Sequence, residues 1–267
     1  MNILYSGDKN IERGMMMSLQ SLAEHTCEPL HVWVLTMSFE AEDRKWEPVG
    51  DECIYSTREM LWTYNLNSKV TLVDLTYEFQ EELPTANLDT RFTPYCMLRL
   101  WADYVKDLPD RILYLDNDVL CNQCPDEFYN QPIGDVEMVG VLDYYGRWFF
   151  RKHWLHSNYM NSGVLLMNMD LIRTTGLLCR CRFQCAEKKM FMPDQTALND
   201  QVKYYRLAPR RYNDQRCQHT DTILRHFTTT WRIFPWPHTV TVKPWDTARL
   251  HSVLHCHEYD YLIENKK

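Results

Sequence analysis

Two aspartates with one residue between them, Asp116 and Asp118, close an apolar run that begins at Ile112. Ile112 to Leu115 is bulky and free of glycine and proline, which reads as a strand buried on both faces. Two carboxylates at the tip of such a strand repel each other unless a cation sits beside them. Hard oxygen ligands favour Mg²⁺ or Mn²⁺ over zinc. In open α/β sheets ligands collect at the carboxyl ends of strands. A divalent-metal site holding a phosphorylated compound is therefore the chemistry these residues point to. A pair of solvated loop acids is the bland alternative.

Other residues could join such a site. Arg91 and Arg99 lie about two turns apart on one side of an expected helix, where they either reach the sheet edge or stand in solvent. Asp143 ends a further strand. Asp194 follows Met192-Pro193 at the start of a helix, as a simple cap or as a carboxylate aimed into the site. His226 ends a late strand, and Lys243 precedes Pro244-Trp245. Cys121 and Cys124 are spaced like a zinc pair but have no second pair to match. Cys179, Cys181 and Cys185 are irregularly spaced, so a structural zinc is not expected.

These residues need a scaffold, and the elements read in order supply one. Asn2 to Ser6 is a strand, followed by Gly7-Asp8-Lys9-Asn10 and a helix over Ile11 to His25. Leu30 to Thr36 and Val70 to Leu75 are strands. Phe39 to Trp46 and Thr57 to Leu66 read as helices, as does Asp89 to Val105. Glu137 to Leu142, Met160 to Asn168 and Thr222 to Phe227 complete the strands. Asp170 is placed as a helix cap, and Asp246 caps a last helix carrying Leu250, Val253, Leu254 and Tyr261. Strands alternating with helices predict a mostly parallel α/β sheet. There is no Gly-x-Gly-x-x-Gly and no Walker motif. From Tyr144 to Tyr159 the chain is aromatic and basic without a clean period, as a substrate lid or a partner surface would be.

The 267 residues suffice for one α/β domain. With 36 acidic against 29 basic residues the net charge is −7, which argues against nucleic acid as a main partner. No stretch approaches the roughly 18 apolar residues of a membrane span. The opening Met1-Asn2-Ile3-Leu4-Tyr5 is too short for a signal peptide, so a cytoplasmic protein with reduced cysteines is expected.

Tyr114-Leu115-Asp116-Asn117-Asp118, with Arg99 ahead of it, resembles the retaining glycosyltransferases of family 8. Asp8-x-Asn10, Asn161-Ser162-Gly163-Val164-Leu165-Leu166, Asp194-Gln195 and Lys243-Pro244-Trp245 match in family order. The resemblance implies a GT-A (Rossmann-like) fold with a mixed, mostly parallel central sheet over residues 1–246, with 247–267 as a C-terminal helix packed on, or extending from, the same domain. It implies Mn²⁺ (or Mg²⁺) and a UDP-sugar donor, with a glycan or glycolipid acceptor and peripheral contact with a membrane. Asp116 and Asp118 would ligate the metal. The family's third ligand is a histidine six residues before the lysine, where this chain has Pro237. His226 is preferred over His238 for the role, and the family's glycine in that segment is absent. Ser6, Gly7, Asp8 and Asn10 would meet the uridine, and Asn117 and Ser162 belong to the donor-binding set. Arg99 and Lys243 would face the diphosphate, with Lys243 offsetting charge on departing UDP. Asp143, Asn161, Asp194 and Gln195 would line the donor sugar, and Gln195, Asp194 and Lys243 are the expected catalytic residues. An inactive sugar- or nucleotide-binding protein on the same fold is the competing reading. A phosphotransferase using Asp116 as nucleophile needs Ser or Thr at position 120, where Leu stands.

Overall fold

The computed structural model describes residues 1–41, 44–89, 94–146, 158–232, 234 and 236–264. Arg91 and most of the aromatic segment, 147–157, lie outside the described residues.

The strands are β1 (Asn2–Ser6), β2 (His31–Thr36), β3 (Phe39–Ala41), β4 (Arg44–Trp46), β5 (Lys69–Asp74), β6 (Arg111–Leu115), β7 (Val119–Cys121), β8 (Met138–Leu142), β9 (Met160–Asn168), β10 (Tyr205–Leu207), β11 (Leu224–His226), β12 (Thr230–Arg232) and β13 (His238–Val240). Seven of them form one sheet in the order β10-β8-β9-β6-β1-β2-β5. Neighbours are parallel except at β9, which runs antiparallel to both β6 and β8. The carboxyl ends of β1, β6 and β8 therefore share one edge with the beginning of β9. The loops Gly7-Asp8, Asp116–Asp118 and Asp143, together with Asn161-Ser162-Gly163, all sit along it.

The central strands β1, β6, β8 and β9 are buried on both faces, as their apolar runs require. Leu113 and Leu115 face a core built with the helix Glu12–Glu24 and the helix Asp51–Trp62. Ile112 and Tyr114 face a second core with the helices Pro94–Tyr104, Leu177–Glu187 and Pro193–Gln201. The alternation follows from the two-residue repeat of a strand. A smaller core of Met17, Leu120, Phe227, Val242, Leu250 and Tyr259 holds the C-terminal helix Thr247–Leu254 beside the site. Among the described residues no helix is long and apolar enough to cross a membrane. All ten cysteines are free.

Four expectations need correction. Phe39 to Trp46 is a hairpin of β3 and β4, not a helix, because Phe39 and Trp46 are direct cross-strand partners with ring centroids 5.6 Å apart. The second helix starts at Asp51 behind Gly50 and ends at Trp62, with Asp51 and Glu52 in its first turn, where acids suit the helix dipole. Asp170 lies inside the first turn of its helix, and Asn168 is the cap, accepting from the Leu171 amide at 3.3 Å. The last helix stops at Leu254, and after a left-handed His255 the chain starts a separate turn at Tyr261. Asp246 does cap the helix, as expected.

Candidate active site

The turn after β6 is fastened at both ends. The Asp116 amide donates to the Gly163 carbonyl at 2.8 Å, and the Val119 amide donates back to the Asp116 carbonyl at 3.1 Å. β7 then pairs antiparallel with β11, in a register that sets His226 opposite Val119. The Phe227 amide donates to the Asp118 carbonyl at 3.0 Å. This short ladder carries an imidazole from far down the chain to the two acids. His226 Nε2 stands 3.2 Å from Asp118 Oδ1 and 3.7 Å from Asp116 Oδ2. Ligand atoms of Asp116, Asp118 and His226 all lie within 4.8 Å of one another, so the three could hold one ion.

His226 rather than His238 takes that place. His238 sits on the outer hairpin of β12 and β13, bonded to the Trp236 carbonyl. Gly163 explains how tightly the group is packed. A Cβ there would fall 2.2 Å from His226 Cε1 and 2.7 Å from Asp116 Oδ2, so only glycine fits.

A buried polar network sets the protonation of the imidazole. The Gly163 amide can only donate, and it donates to Asn161 Oδ1 at 3.0 Å. Asn161 Nδ2 must then point to a pure acceptor, and it donates to Asp143 Oδ2 at 2.9 Å. Asn213 Nδ2 donates to the same Asn161 oxygen, leaving Asn213 Oδ1 as acceptor for His226 Nδ1 at 3.0 Å. His226 therefore keeps a proton on Nδ1, and Nε2 is the ring nitrogen that faces the acids and would meet an ion. Such outer partners fix the tautomer of metal-binding histidines.

Lys243 and Arg99 offset part of the negative charge of the acids. Lys243 Nζ bonds Asp118 Oδ2. Burial opposes charge on Asp118, but Lys243 and His226 outweigh it and hold the carboxyl well below its ordinary range. Arg99 Nη2 donates to Asp116 Oδ1 at 2.9 Å and Tyr114 Oη donates to the same oxygen at 2.8 Å. Arg99 also lies 3.4 Å from Asp194 Oδ2 and donates to the Ser162 carbonyl at 2.7 Å. Asp194 is thus no helix cap, since its helix has no side-chain cap. Burial raises its carboxyl above the usual range, with Arg99 opposing. Gln195 Oε1 accepts from the Ser162 amide at 2.9 Å, and Gln195 Nε2 donates to Asp143 Oδ2 at 3.1 Å.

Asp116, Asp118, His226, Lys243, Arg99, Asp143, Asn161, Ser162, Asp194 and Gln195 all line one cavity of about 600 Å³. That volume lies within the range of small-molecule sites. The first loop is not part of it. Asp8 and Asn10 line a separate cavity of about 230 Å³ with Lys45, Trp46 and Glu47. Ser6 stands beside Tyr114 Oη at 3.3 Å, and the Gly7 amide donates to the Leu35 carbonyl. Asn117 packs against Gly14 rather than lining the cavity. Reading the sequence missed Asn213, Gln215 and the threonines Thr228 and Thr229, whereas Tyr145, from the aromatic segment read as a substrate lid or partner surface, does line the cavity. Asn213, Asp214 and Gln215 are all buried, but nothing in their local pattern distinguishes them from a polar loop.

Residues 2–247 match the pattern of glycosyl transferase family 8. The chain is 28% identical over 179 residues to the lipopolysaccharide 1,3-galactosyltransferase of Salmonella typhimurium. That alignment covers 64% of this chain and 49% of the relative, so it spans about half the relative's length. Among solved structures, an active-site mutant of LgtC superposes with a TM-score of 0.71 at 18% identity, covering 99% of this chain and 94% of that one. Galactosyltransferase LgtC in complex with donor and acceptor sugar analogs gives 0.65 at 17%, with the same coverage. These likenesses establish the GT-A fold. The family match extends over nearly the whole chain, including β1, the Asp116–Asp118 turn, His226 and Lys243, and the chain accordingly belongs to glycosyltransferase family 8.

Proposed function

We propose that this protein is a metal-dependent retaining glycosyltransferase moving a hexose, glucose or galactose, from a UDP-sugar to a glycan or glycolipid acceptor. One observation carries the reading: two carboxylates and an imidazole converge within 4.8 Å in a pocket that also holds Lys243 and Arg99. Two hard oxygens and one nitrogen suit Mn²⁺ better than Mg²⁺, which prefers oxygen and water alone. The relatives' galactosyltransferase names support the sugar class and, for one of them, a lipopolysaccharide acceptor.

In this reading Asp116, Asp118 and His226 hold the ion, which when bound neutralises a diphosphate and stabilises UDP as it leaves. Breaking the bond from anomeric carbon to phosphate puts negative charge on UDP and positive charge on the sugar ring. Lys243 offsets the first and Arg99 orients the diphosphate. Asp143, Asn161, Asp194 and Gln195 form the wall that grips the donor sugar, with Ser162 holding Gln195 Oε1 in place. Gln195, bonded to Ser162 and Asp143, serves as a fixed dipole near the anomeric centre rather than as a covalent nucleophile, because a neutral amide is a poor one. Ser6, Gly7, Asp8 and Asn10, with Asn117, would take the nucleoside end at the same sheet edge. Residues 1–246 would form the catalytic domain, and the helix Thr247–Leu254 packs onto it.

Screening UDP-sugars for hydrolysis with Mn²⁺ tests this. We expect one UDP-hexose to be turned over, with Asp118→Ala slower by at least about a hundredfold. Hydrolysis by Asp118→Ala at the wild-type rate would sink the metal assignment. Calorimetric binding of UDP with Mn²⁺, without turnover of any donor, would favour the inactive binding protein.

A further inference from the structure

A second group of metal-ligating side chains lies outside the pocket, on the C-terminal segment. We infer that His251, His257 and Asp260 form a surface site for a borderline divalent ion of the Zn²⁺ class, separate from the carboxylate-rich site. His251 Nε2 lies 2.6 Å from Asp260 Oδ1, and His257 Nδ1 lies 3.4 Å from Asp260 Oδ2. The two rings face each other with centroids 4.0 Å apart, and the three ligand atoms lie within 4.8 Å of one another. With zinc bonds of about 2.0–2.1 Å, tetrahedral ligand atoms sit about 3.3 Å apart. The His–Asp separations bracket that value. Two imidazoles and a single carboxylate select Zn²⁺, Co²⁺ or Ni²⁺ over Mg²⁺ and Ca²⁺.

His251 is held by a short bond to Asp260, and His257 makes a longer ion pair with the other oxygen of the same carboxylate. His257 is 65% exposed, yet its ring turns to the second oxygen of the same carboxylate. The backbone bends to bring it there. His255, at φ 51°, is the one non-glycine residue with positive φ among the described residues, and its turn folds His257 back over the helix Thr247–Leu254. An ion on these three residues would fasten the end of the chain to that helix. Between two of them in sequence lies Tyr259, buried edge-on against Phe227, with its hydroxyl 2.8 Å from both Asn122 Oδ1 and Gln218 Oε1. The staple thus lies behind the strand that carries His226. This inference does not rest on the proposed transferase activity.

The test uses the full chain with Asp118→Asn, which breaks the pocket's own ligand set, titrated with Zn²⁺ against a chromophoric chelator. We expect one equivalent bound at micromolar zinc, weakened at least tenfold by adding either His251→Ala or His257→Ala. Circular dichroism of the His257→Ala variant without metal should be unchanged, because His257 is exposed. Adding His255→Asn instead, which tolerates the left-handed turn, should leave the affinity within about twofold. Zinc should also raise the thermal midpoint of the parent but not of the two alanine variants. No uptake at micromolar zinc would overturn the assignment. So would uptake indifferent to His251 and His257, or lost equally with His255→Asn.

Discussion

Asn213 touches neither acid, yet the position of the His226 proton depends on it. Its amide is oriented by Asn161, which is oriented by the Gly163 amide and the Asp143 carboxylate. His226 Nδ1 donates to it at 3.0 Å. Partners of this kind are worth 10–100-fold in metal affinity when removed. Asn213→Ala should therefore weaken Mn²⁺ binding in the presence of UDP by about 10–100-fold, read by paramagnetic resonance of free Mn²⁺. A loss smaller than about threefold would show that His226 keeps its tautomer without help.

At the scale of elements, the site depends on a short ladder and on one helix. The pairing of β7 with β11 is only three residues long, but it sets His226 against Asp118. The turn between β6 and β7 rests on the first long helix at Gly14. A Cβ at Gly14 would fall 2.4 Å from Trp245 Cζ3 and 2.6 Å from the Asn117 carbonyl oxygen. Helix propensity alone makes Gly14→Ala stabilising by about 1 kcal/mol. Overpacking against a backbone atom costs about 1–3 kcal/mol, so the steric clash should outweigh the gain in propensity. Gly14→Ala is expected to lower the urea midpoint and to weaken Mn²⁺ binding, since the displaced Asn117 lies between the two acids. A raised midpoint would show that Trp245 moves aside freely.

Across the whole molecule, the sheet brings charge from distant elements into one buried pocket, and folding stability must carry that cost. Asp194 is 6% exposed and reaches the pocket from a helix start. Burial raises its carboxyl, with Arg99 opposing. A carboxyl whose folded-state pKa lies above its unfolded value of about 3.9 binds its proton more tightly when folded. Its contribution is full below that value and declines as pH rises through the folded one. Asp194→Asn lacks this decline. The stability of the variant relative to wild type should therefore increase from about pH 4 upward, measured by urea unfolding at a series of pH values. The opposite trend would mean that pairing with Arg99 outweighs burial.

What could be read along the chain was whatever is encoded locally. The apolar run into Asp116 and Asp118, the strands of the central sheet, and the Asn161-Ser162-Gly163 entrance to β9 each depend on near neighbours, and each appears where expected. The hairpin at Phe39–Trp46 was misread because two aromatics seven apart fit a helical stripe as well as a cross-strand pair. The strand context of His226 already favoured it over His238, but placing it beside the acids, turning Asp194 from a cap into a partner of Arg99, and recruiting Asn213 all rest on contacts between residues far apart in the chain. Those contacts were decided by sheet order and by the register of β7 against β11, because pairing partners are selected by burying both faces of the sheet at once. A single segment carries no record of that selection.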